Sequence, residues 1–486
     1  MSCNLRFLRP SWSALAIMVV VALAMFRPGD APFINDEPML LRSAYFYNHE
    51  AVRAFGITLP FSLAPRGLAG THCVFYGPAP TWLYQILLLI TRNPIGLVLI
   101  HAALFTGLSA IALWWLTRTM KMSPWFAVIT LLSPWCWYYA RVLWDNSLCM
   151  PIGALALAGY ADFAVSHRGG SLCFTVACLA ILPLVHFMAL PLVGAIALSL
   201  VLFHRTELIR FGRSVVIILL IAGSLSAGYW GHITAEKVPG DSTSLGWLFP
   251  FLGAHHWTAS IEALAGADWL DHTPLPTLLH ITTTSLLLMY PLAWFGITLA
   301  AENAWRVFSR NESPAVVAQV STLAIIALLL EIVVDGTQHV WGYAHYHNGN
   351  WIVNVVFVWL AVDWLSRRMT SGFVNRIAIP AYALANLIVI FCFMAQIAHN
   401  GGVRNRTWGT AISDQLAAIN LIQQYDPASA ITMNYSQWRE FPHAPETLEL
   451  LHPAPTKPRP IAFLTVSDRS AYAGDAHIAV SASSPP

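Results

Sequence analysis

Charge is what this 486-residue chain has least of: Asp, Glu, Lys and Arg make up only 10% of it, against roughly 25% in an ordinary soluble domain. With 57% of its residues hydrophobic, water is excluded as the main solvent and lipid takes its place. A basic face is also missing. Lys and Arg stand singly or in pairs between apolar runs and the net charge is +2, which removes nucleic acid from the partners. The seven cysteines include no CxxC pair. Cys136, Cys149, Cys173, Cys178 and Cys392 lie in or beside apolar runs as small hydrophobes, so neither a disulfide framework nor a zinc knuckle is indicated. Aromatics, by contrast, are plentiful, and 20 Trp and 15 Tyr suit long membrane–water boundaries, where an amphipathic ring sits at headgroup level.

A hydrocarbon core of roughly 30 Å takes about 20 apolar residues per crossing. The first run, 14–25 behind Arg6 and Arg9, reads as a retained anchor rather than a signal peptide cleaved near Ala22 and Ala24. The run 82–90, bounded by Pro80 and by Arg92-Asn93-Pro94, is too short to cross and reads as an interfacial helix. Crossings are expected over 95–116, 125–139, 215–230, 278–299, 315–334, 351–365 and 377–398, with one more ending before Arg168. The stretch 172–203 is long enough for a hairpin of two short crossings, turning where Pro183, His186 and Pro191 cluster. That makes about eleven crossings. It leaves Arg118, Lys121, Arg168, Arg205, Arg210, Arg213, Arg306, Arg310, Arg367, Arg368 and Arg376 at inner ends, as the positive-inside tendency requires. The N-terminus is then cytoplasmic and the C-terminus extracytoplasmic.

The expected fold is an all-α polytopic membrane protein with juxtamembrane helices in the first outer loop, plus a small α/β extracytoplasmic C-terminal module. The division falls between a transmembrane part, 1–398, whose first outer loop is 27–93, and a soluble part, 399–486. In the latter Trp408, Ile412, Leu416, Ile419 and Ile422 recur at helical spacing, followed by strand-like runs at 430–433, 461–466 and 476–480. Pro442, Pro445, Pro453, Pro455, Pro458 and Pro460 mark an extended connection between them.

The first outer loop opens on Phe33-Ile34-Asn35-Asp36-Glu37-Pro38. An acid this close to the membrane surface can take the proton of an acceptor hydroxyl or hold a divalent cation against a phosphate. Asp-Glu-Pro in a first turn is also a helix N-terminal signature, so a capping role competes. Asp145 lies one helical turn from Arg141 and could simply pair with it. Arg42, Arg53, Arg66 and Arg92 offer guanidinium forks that match phosphate oxygens, or they serve as solvated loop residues in contact with lipid headgroups. His345 and His347 would face one side of an extended segment, bordering a cavity, but no four-ligand zinc spacing accompanies them. Glu331 and His186 sit near the ends of apolar runs and read as snorkelling or paired groups rather than a proton relay.

Three stretches together resemble a known family: Asn35-Asp36-Glu37 after the first crossing, Tyr76-Gly77-Pro78-Ala79-Pro80-Thr81-Trp82-Leu83-Tyr84 leading into a short helix, and Ser133-Pro134 followed by Arg141 and Asp145. They are similar to the C-type (GT-C) membrane glycosyltransferases that take a sugar from a polyprenyl-phosphate donor, among them protein O-mannosyltransferases and lipid A aminoarabinose transferases. The resemblance implies an inverting sugar transfer on the outer face of a bacterial inner membrane. It makes Asp36 the acceptor-activating acid, with Glu37 a weaker candidate, and Asp145 a second acid near the donor phosphate. Asp36 and Asp145 would share a divalent metal where one is used. Arg42, Arg53, Arg66, Arg92 and Arg141 become candidate phosphate ligands, and Tyr76, Trp82, His345 and His347 candidate walls of the acceptor or sugar cavity. The implied partners are a polyprenyl-phosphate-linked sugar, an extracytoplasmic acceptor and the bilayer. The threading, made from hydropathy and Lys/Arg placement alone, puts Asp36 and Asp145 on one side, as a shared site demands. A lipid or solute transporter would instead need acids deep in the bundle and paired broken helices, and a non-catalytic scaffold would need neither acid.

Overall fold

Proline and short polar residues set where the helices begin. Asn93 accepts the Ile95 N–H at 3.0 Å and Pro94 occupies the first turn of a 26-residue helix, Pro94–Thr119, since proline has no N–H to leave unsatisfied there. In the computed structural model the described residues are 12–33, 36–50, 52–54, 57–59, 62–69, 75–231, 289–309, 314–338, 344–369, 373–403, 409–424, 430–433, 443–451, 462–463 and 480–483. Their helices are α1 (Trp12–Met25), α2 (Asp36–His49), α3 (Ala79–Ile90), α4 (Pro94–Thr119), α5 (Trp125–Leu131), α6 (Pro134–Tyr139), α7 (Cys149–Ser166), α8 (Gly169–Val185), α9 (Leu190–Phe203), α10 (Arg205–Arg210), α11 (Gly212–Leu225) and α12 (Ala227–Trp230). They continue with α13 (Met289–Ser309), α14 (Val316–Gln338), α15 (Trp351–Arg368), α16 (Ile379–Asn400), α17 (Ile412–Gln424) and α18 (His443–Leu451).

Five stretches are long and apolar enough to cross a membrane: Pro94–Thr119, Asn146–Ser166, Val316–Val334, His347–Arg368 and Arg376–Ala395. Shorter apolar helices, α1, α3, α8, α9 and α11, accompany them. The protein is an integral membrane protein, and its described residues are almost wholly helical. Lipid offers no hydrophobic drive between helices, so close packing and interhelical hydrogen bonds must hold the bundle. Helix α7 supplies the close packing with Gly153, Ala154, Ala156, Ala158, Gly159 and Ala161, all buried, against α4 and α8. The bonds come from Trp359, whose indole N–H donates to Thr130 Oγ1 at 3.0 Å, and from Tyr160, whose hydroxyl donates to Gln319 Oε1 at 3.3 Å.

Two expected crossings differ in detail. The segment 125–139 is not one helix but α5 and α6, divided where Ser133 Oγ accepts the Cys136 N–H at 3.2 Å and Pro134 opens the new turn; proline cannot continue the i to i−4 ladder of the helix before it. The segment 278–299 lies partly outside the described residues, and its helix α13 runs on to Ser309, carrying a Glu302–Arg306 pair one turn apart. The hairpin in 172–203 turns at His186, whose Nδ1 accepts the Met188 N–H at 3.1 Å and so starts the next turn. The run 82–90 is the short α3, with Ile86, Leu89 and Ile90 exposed along one side.

The remaining strands are short. β1 (Val52–Ala54) and β2 (Ile57–Leu59) form an antiparallel hairpin, as do β3 (Gly402–Val403) and β4 (Gly409–Thr410). β5 (Ala430–Met433) lies between β6 (Ala462–Phe463), parallel to it, and β7 (Val480–Ser483), antiparallel. The chain after α16 returns to the first loop. Pro32 bridges Ala411, the Ile412 N–H donates to the Ala31 carbonyl at 2.9 Å, and Phe33, Leu40, Leu41, Tyr84, Ile412, Ile419, Ala444 and Leu448 share one buried apolar cluster.

Candidate active site

The site is built where the chain leaves α1. Arg27 takes a left-handed conformation, with φ 53° and ψ 58°, and its guanidinium closes the next turn on Asp30 at 2.8 Å. Its carbonyl oxygen accepts a hydrogen bond from Arg141 Nη2, a residue in the linker between α6 and α7. Arg141 is fully buried, with its guanidinium 4.6 Å from the centre of the Trp137 ring. Burial lowers it to about 10, Asp30 working against the fall and Arg27 adding to it, so it stays a cation at neutral pH. Its Nε and Nη1 are buried without an acceptor. No ion pair joins it to Asp145 among the described residues; it faces Asp30 and Arg27 instead.

Helix α2 starts at Asp36, whose Oδ2 accepts the Trp144 indole N–H at 2.8 Å. That bond, rather than a cap on its own helix, is the contact its carboxylate makes among the described residues. Trp144 precedes Asp145, and the bond therefore carries the first-loop acid to the second one. Asp145 is 1% exposed. Its Oδ1 accepts the Asn146 N–H at 2.7 Å, while Oδ2 is buried with no partner. Burial drives the Asp145 carboxyl well above its ordinary value; the Asp36 charge raises it further, the Asn146 N–H opposes, and Glu37 adds a smaller push upward. Asp36 is also raised by burial, against the Trp144 hydrogen bond. Like charges in a poorly solvated space raise one another's affinity for protons.

A buried polar chain supports this linker from below. The Tyr84 hydroxyl meets His101 Nδ1 at 3.3 Å, His101 Nε2 meets Ser147 Oγ at 3.3 Å, and Ser147 donates to the Trp144 carbonyl at 2.6 Å. Sequence reasoning passed over Trp144, His101 and Ser147. His101 alone carried a signal, as an ionisable group in the middle of an apolar run.

The other expected residues are distributed as follows. Glu37 is buried in the first turn of α2. Arg42 pairs with Glu446, Arg66 lies 3.7 Å over the Phe75 ring, and Arg92 sits 5.5 Å over Tyr45 and 3.4 Å from His49 Nε2. Each thus has a local partner. Arg53 belongs to β1, with its side chain outside the described residues. Tyr76 packs on His186, rings 4.1 Å apart, next to Gly77, where a Cβ would stand 2.0 Å from the Leu184 carbonyl oxygen. Trp82 donates to the Ala64 carbonyl at 2.8 Å. His347 Nδ1 lies 3.0 Å from Glu331 Oε1, which gives the intramembrane acid its partner. The turn Ala344–Asn350 packs against Asn146–Leu148 beside Asp145 and sends Asn348 Oδ1 to the Trp135 indole at 2.9 Å. The His345 side chain lies outside the described residues.

The tail flanks the first acid on both sides. Gln415 Nε2 donates to the Phe33 carbonyl at 2.8 Å, and Thr447 Oγ1 donates to the Pro38 carbonyl at 3.1 Å.

No family model and no curated protein matches the sequence. Among solved structures, the chain is similar to ArnT from Cupriavidus metallidurans bound to undecaprenyl phosphate, with a TM-score of 0.50 and 10% identity over 96% of this chain and 88% of that one. The Archaeoglobus fulgidus oligosaccharyltransferase in complex with Zn and sulfate gives 0.46 and 15% identity, over 85% of this chain and 55% of that longer one. The fold is that of the GT-C polytopic membrane glycosyltransferases.

Proposed function

We propose that this GT-C-fold protein is an inverting membrane glycosyltransferase that moves one sugar from a polyprenyl-phosphate carrier to an acceptor on the outer face of a bacterial inner membrane. The observation that carries the reading is the Trp144–Asp36 hydrogen bond, which sets an acid of the first loop beside Asp145 and the linker of Arg141. A polyprenyl phosphate fits the fold, since the similar ArnT structure is bound to undecaprenyl phosphate.

In this reading the acceptor hydroxyl gives its proton to the Asp36 carboxylate as its oxygen forms a bond to the anomeric carbon. The bond from that carbon to the phosphate oxygen breaks, and polyprenyl phosphate leaves with the electron pair. A single displacement of this kind inverts the anomeric centre. A carboxylate whose proton affinity is raised by burial is a stronger base than one in water. Arg141 Nε and Nη1, lacking acceptors, are the donors suited to the departing phosphate. Burial raises the proton affinity of Asp145, and positive charge arriving beside it would favour its ionised form. Asp36 and Asp145 present carboxylate oxygens of the kind that hard divalent cations take, and such a cation would supply charge neutralisation at the phosphate.

The topology proposed with this chemistry keeps about eleven crossings. The N-terminus lies inside, and the region 399–486, a small α/β module, lies outside against the Asp36 helix, where it shapes the acceptor side of the cavity. The test is a gene deletion complemented by wild type or Asp36→Asn at equal membrane abundance, with envelope glycans and glycolipids read by mass spectrometry. Loss of one sugar that wild type restores and Asp36→Asn does not supports the reading. Full restoration by Asp36→Asn removes Asp36 as the base, and a deletion that changes no glycan removes the transferase.

A further inference from the structure

At the far end of α7 from Asp145, about 27 Å along an 18-residue helix, three potential ligands converge. One ligand atom each from His167, His204 and Glu207 lies within 4.8 Å of the other two. His167 ends α7 in a left-handed conformation, φ 51°; His204 joins α9 to α10; Glu207 follows on the first turn of α10. His167 Nδ1 is 3.1 Å from Glu207 Oε1, which by itself is an ordinary partly exposed pair.

His204 is what makes the cluster more than that. It is 2% exposed, and its Nε2 lies 2.9 Å from Gln319 Oε1. The orientation of Gln319 is set independently, because its Nε2 donates to the Pro314 carbonyl at 3.0 Å and its Oε1 accepts the Tyr160 hydroxyl. Gln319 Oε1 can only accept, so His204 must carry its proton on Nε2. That leaves a lone pair on Nδ1, and Nδ1 is buried with no hydrogen-bond partner. A metal-binding imidazole has this arrangement, with its other ring N–H fixed by an acceptor outside the coordination sphere.

We propose that His167, His204 and Glu207 form a three-ligand site for a divalent transition metal, zinc by its two imidazoles and one carboxylate, which ties the end of α7 to the α9–α10 junction. Tetrahedral zinc with bonds near 2.0–2.1 Å sets its ligands roughly 3.3 Å apart; the exposed His167 ring can swing to close the remaining gap. The fourth position opens to solvent, since His167 is half exposed. The site is separate from the Asp36 cluster and does not depend on the transferase reading.

The test uses the full-length protein in detergent, stripped with a chelator and titrated with Zn²⁺, and with Co²⁺ as a spectroscopic probe. Wild type is expected to hold one zinc per chain at this site and to give a tetrahedral Co²⁺ spectrum. His167→Asn keeps the left-handed turn, which Asn tolerates, and Glu207→Gln keeps the shape. Each should weaken zinc binding at least about tenfold, and Gln319→Leu, which frees the His204 tautomer, by about 10–100-fold. A wild type that retains no zinc, or variants that bind it as tightly as wild type, would overturn the proposal and leave His167 and Glu207 as an ion pair.

Discussion

The Trp144 indole N–H reaches Asp36 Oδ2 at 2.8 Å across 108 residues of chain. It ties α2 directly to the Asp145 linker, and it opposes the rise that burial imposes on the Asp36 carboxyl. An aromatic N–H donor has no charge of its own to offer. It therefore orients the acid and stabilises its ionised form without neutralising it, which a base requires.

Asp36→Asn is expected to lower transfer by about 10²–10⁴-fold with folding intact, the range of a general base. Trp144→Phe should retain the ring and lose the N–H. Hydrogen bonds to charged groups contribute roughly 1.5–3 kcal/mol, so a loss of about 10–100-fold follows. Because the lost bond favoured the carboxylate, the acid limb of the kcat/KM profile should move to higher pH in Trp144→Phe. A pH–rate profile with an unmoved limb would separate Trp144 from the titration of Asp36.

Asp145 binds its proton more tightly in the folded chain than in the unfolded one, chiefly through burial. The stabilisation this gives is fully present below the ordinary carboxylate value and is lost as pH rises through the raised, folded value. Asp145→Asn, with no proton to lose, should follow a flatter curve. Thermal unfolding in detergent across pH should show the variant gaining on wild type as pH increases, while its transfer activity falls. A constant difference between the two would contradict the burial of Asp145.

Arg141→Gln should raise the KM for the polyprenyl-phosphate donor by about 10–100-fold, since each charge-assisted contact to a phosphate contributes roughly 1.5–3 kcal/mol. Arg42→Gln is the contrast. Its pair with Glu446 is partly exposed on both sides, such pairs contribute about 0–1 kcal/mol, and donor KM should change less than about twofold. Equal effects from the two variants would mean that burial does not single out the phosphate ligand.

How far the site was legible follows from what hydropathy encodes. Runs of apolar residues report the solvent, so α4, α14, α15 and α16 were readable to within a few residues. The division of 125–139 was not, although Ser133-Pro134 was in view, because the apolar pattern continues across it and only capping geometry betrays the break. Asp36 and Asp145 stood out as acids at the ends of apolar runs. What joins them, Trp144, is one more aromatic in an aromatic-rich chain, and a contact over 108 residues leaves no local trace. The same holds for His204, whose meaning depends on Gln319 of another helix, and for the candidate phosphate-binding arginines, where sequence offered four in the first loop beside Arg141 and burial distinguishes Arg141.

The tail gives the last test, because Gln415 joins two parts of the chain that composition separates. Its side chain is fully buried and Nε2 donates to both the Phe33 and Thr410 carbonyls. Gln415→Leu would fit the space and leave two buried carbonyls short of a donor, at a cost of roughly 1–3 kcal/mol each. Phe33 lies three residues before Asp36, so loosening should be felt at the acid before it is felt in the bundle. The expected outcome is a lower unfolding temperature together with a loss of transfer greater than that of Arg42→Gln, and with Trp144 fluorescence altered in the folded state. A Gln415→Leu protein that unfolds earlier yet transfers at the wild-type rate would show that the tail braces the first loop without positioning Asp36.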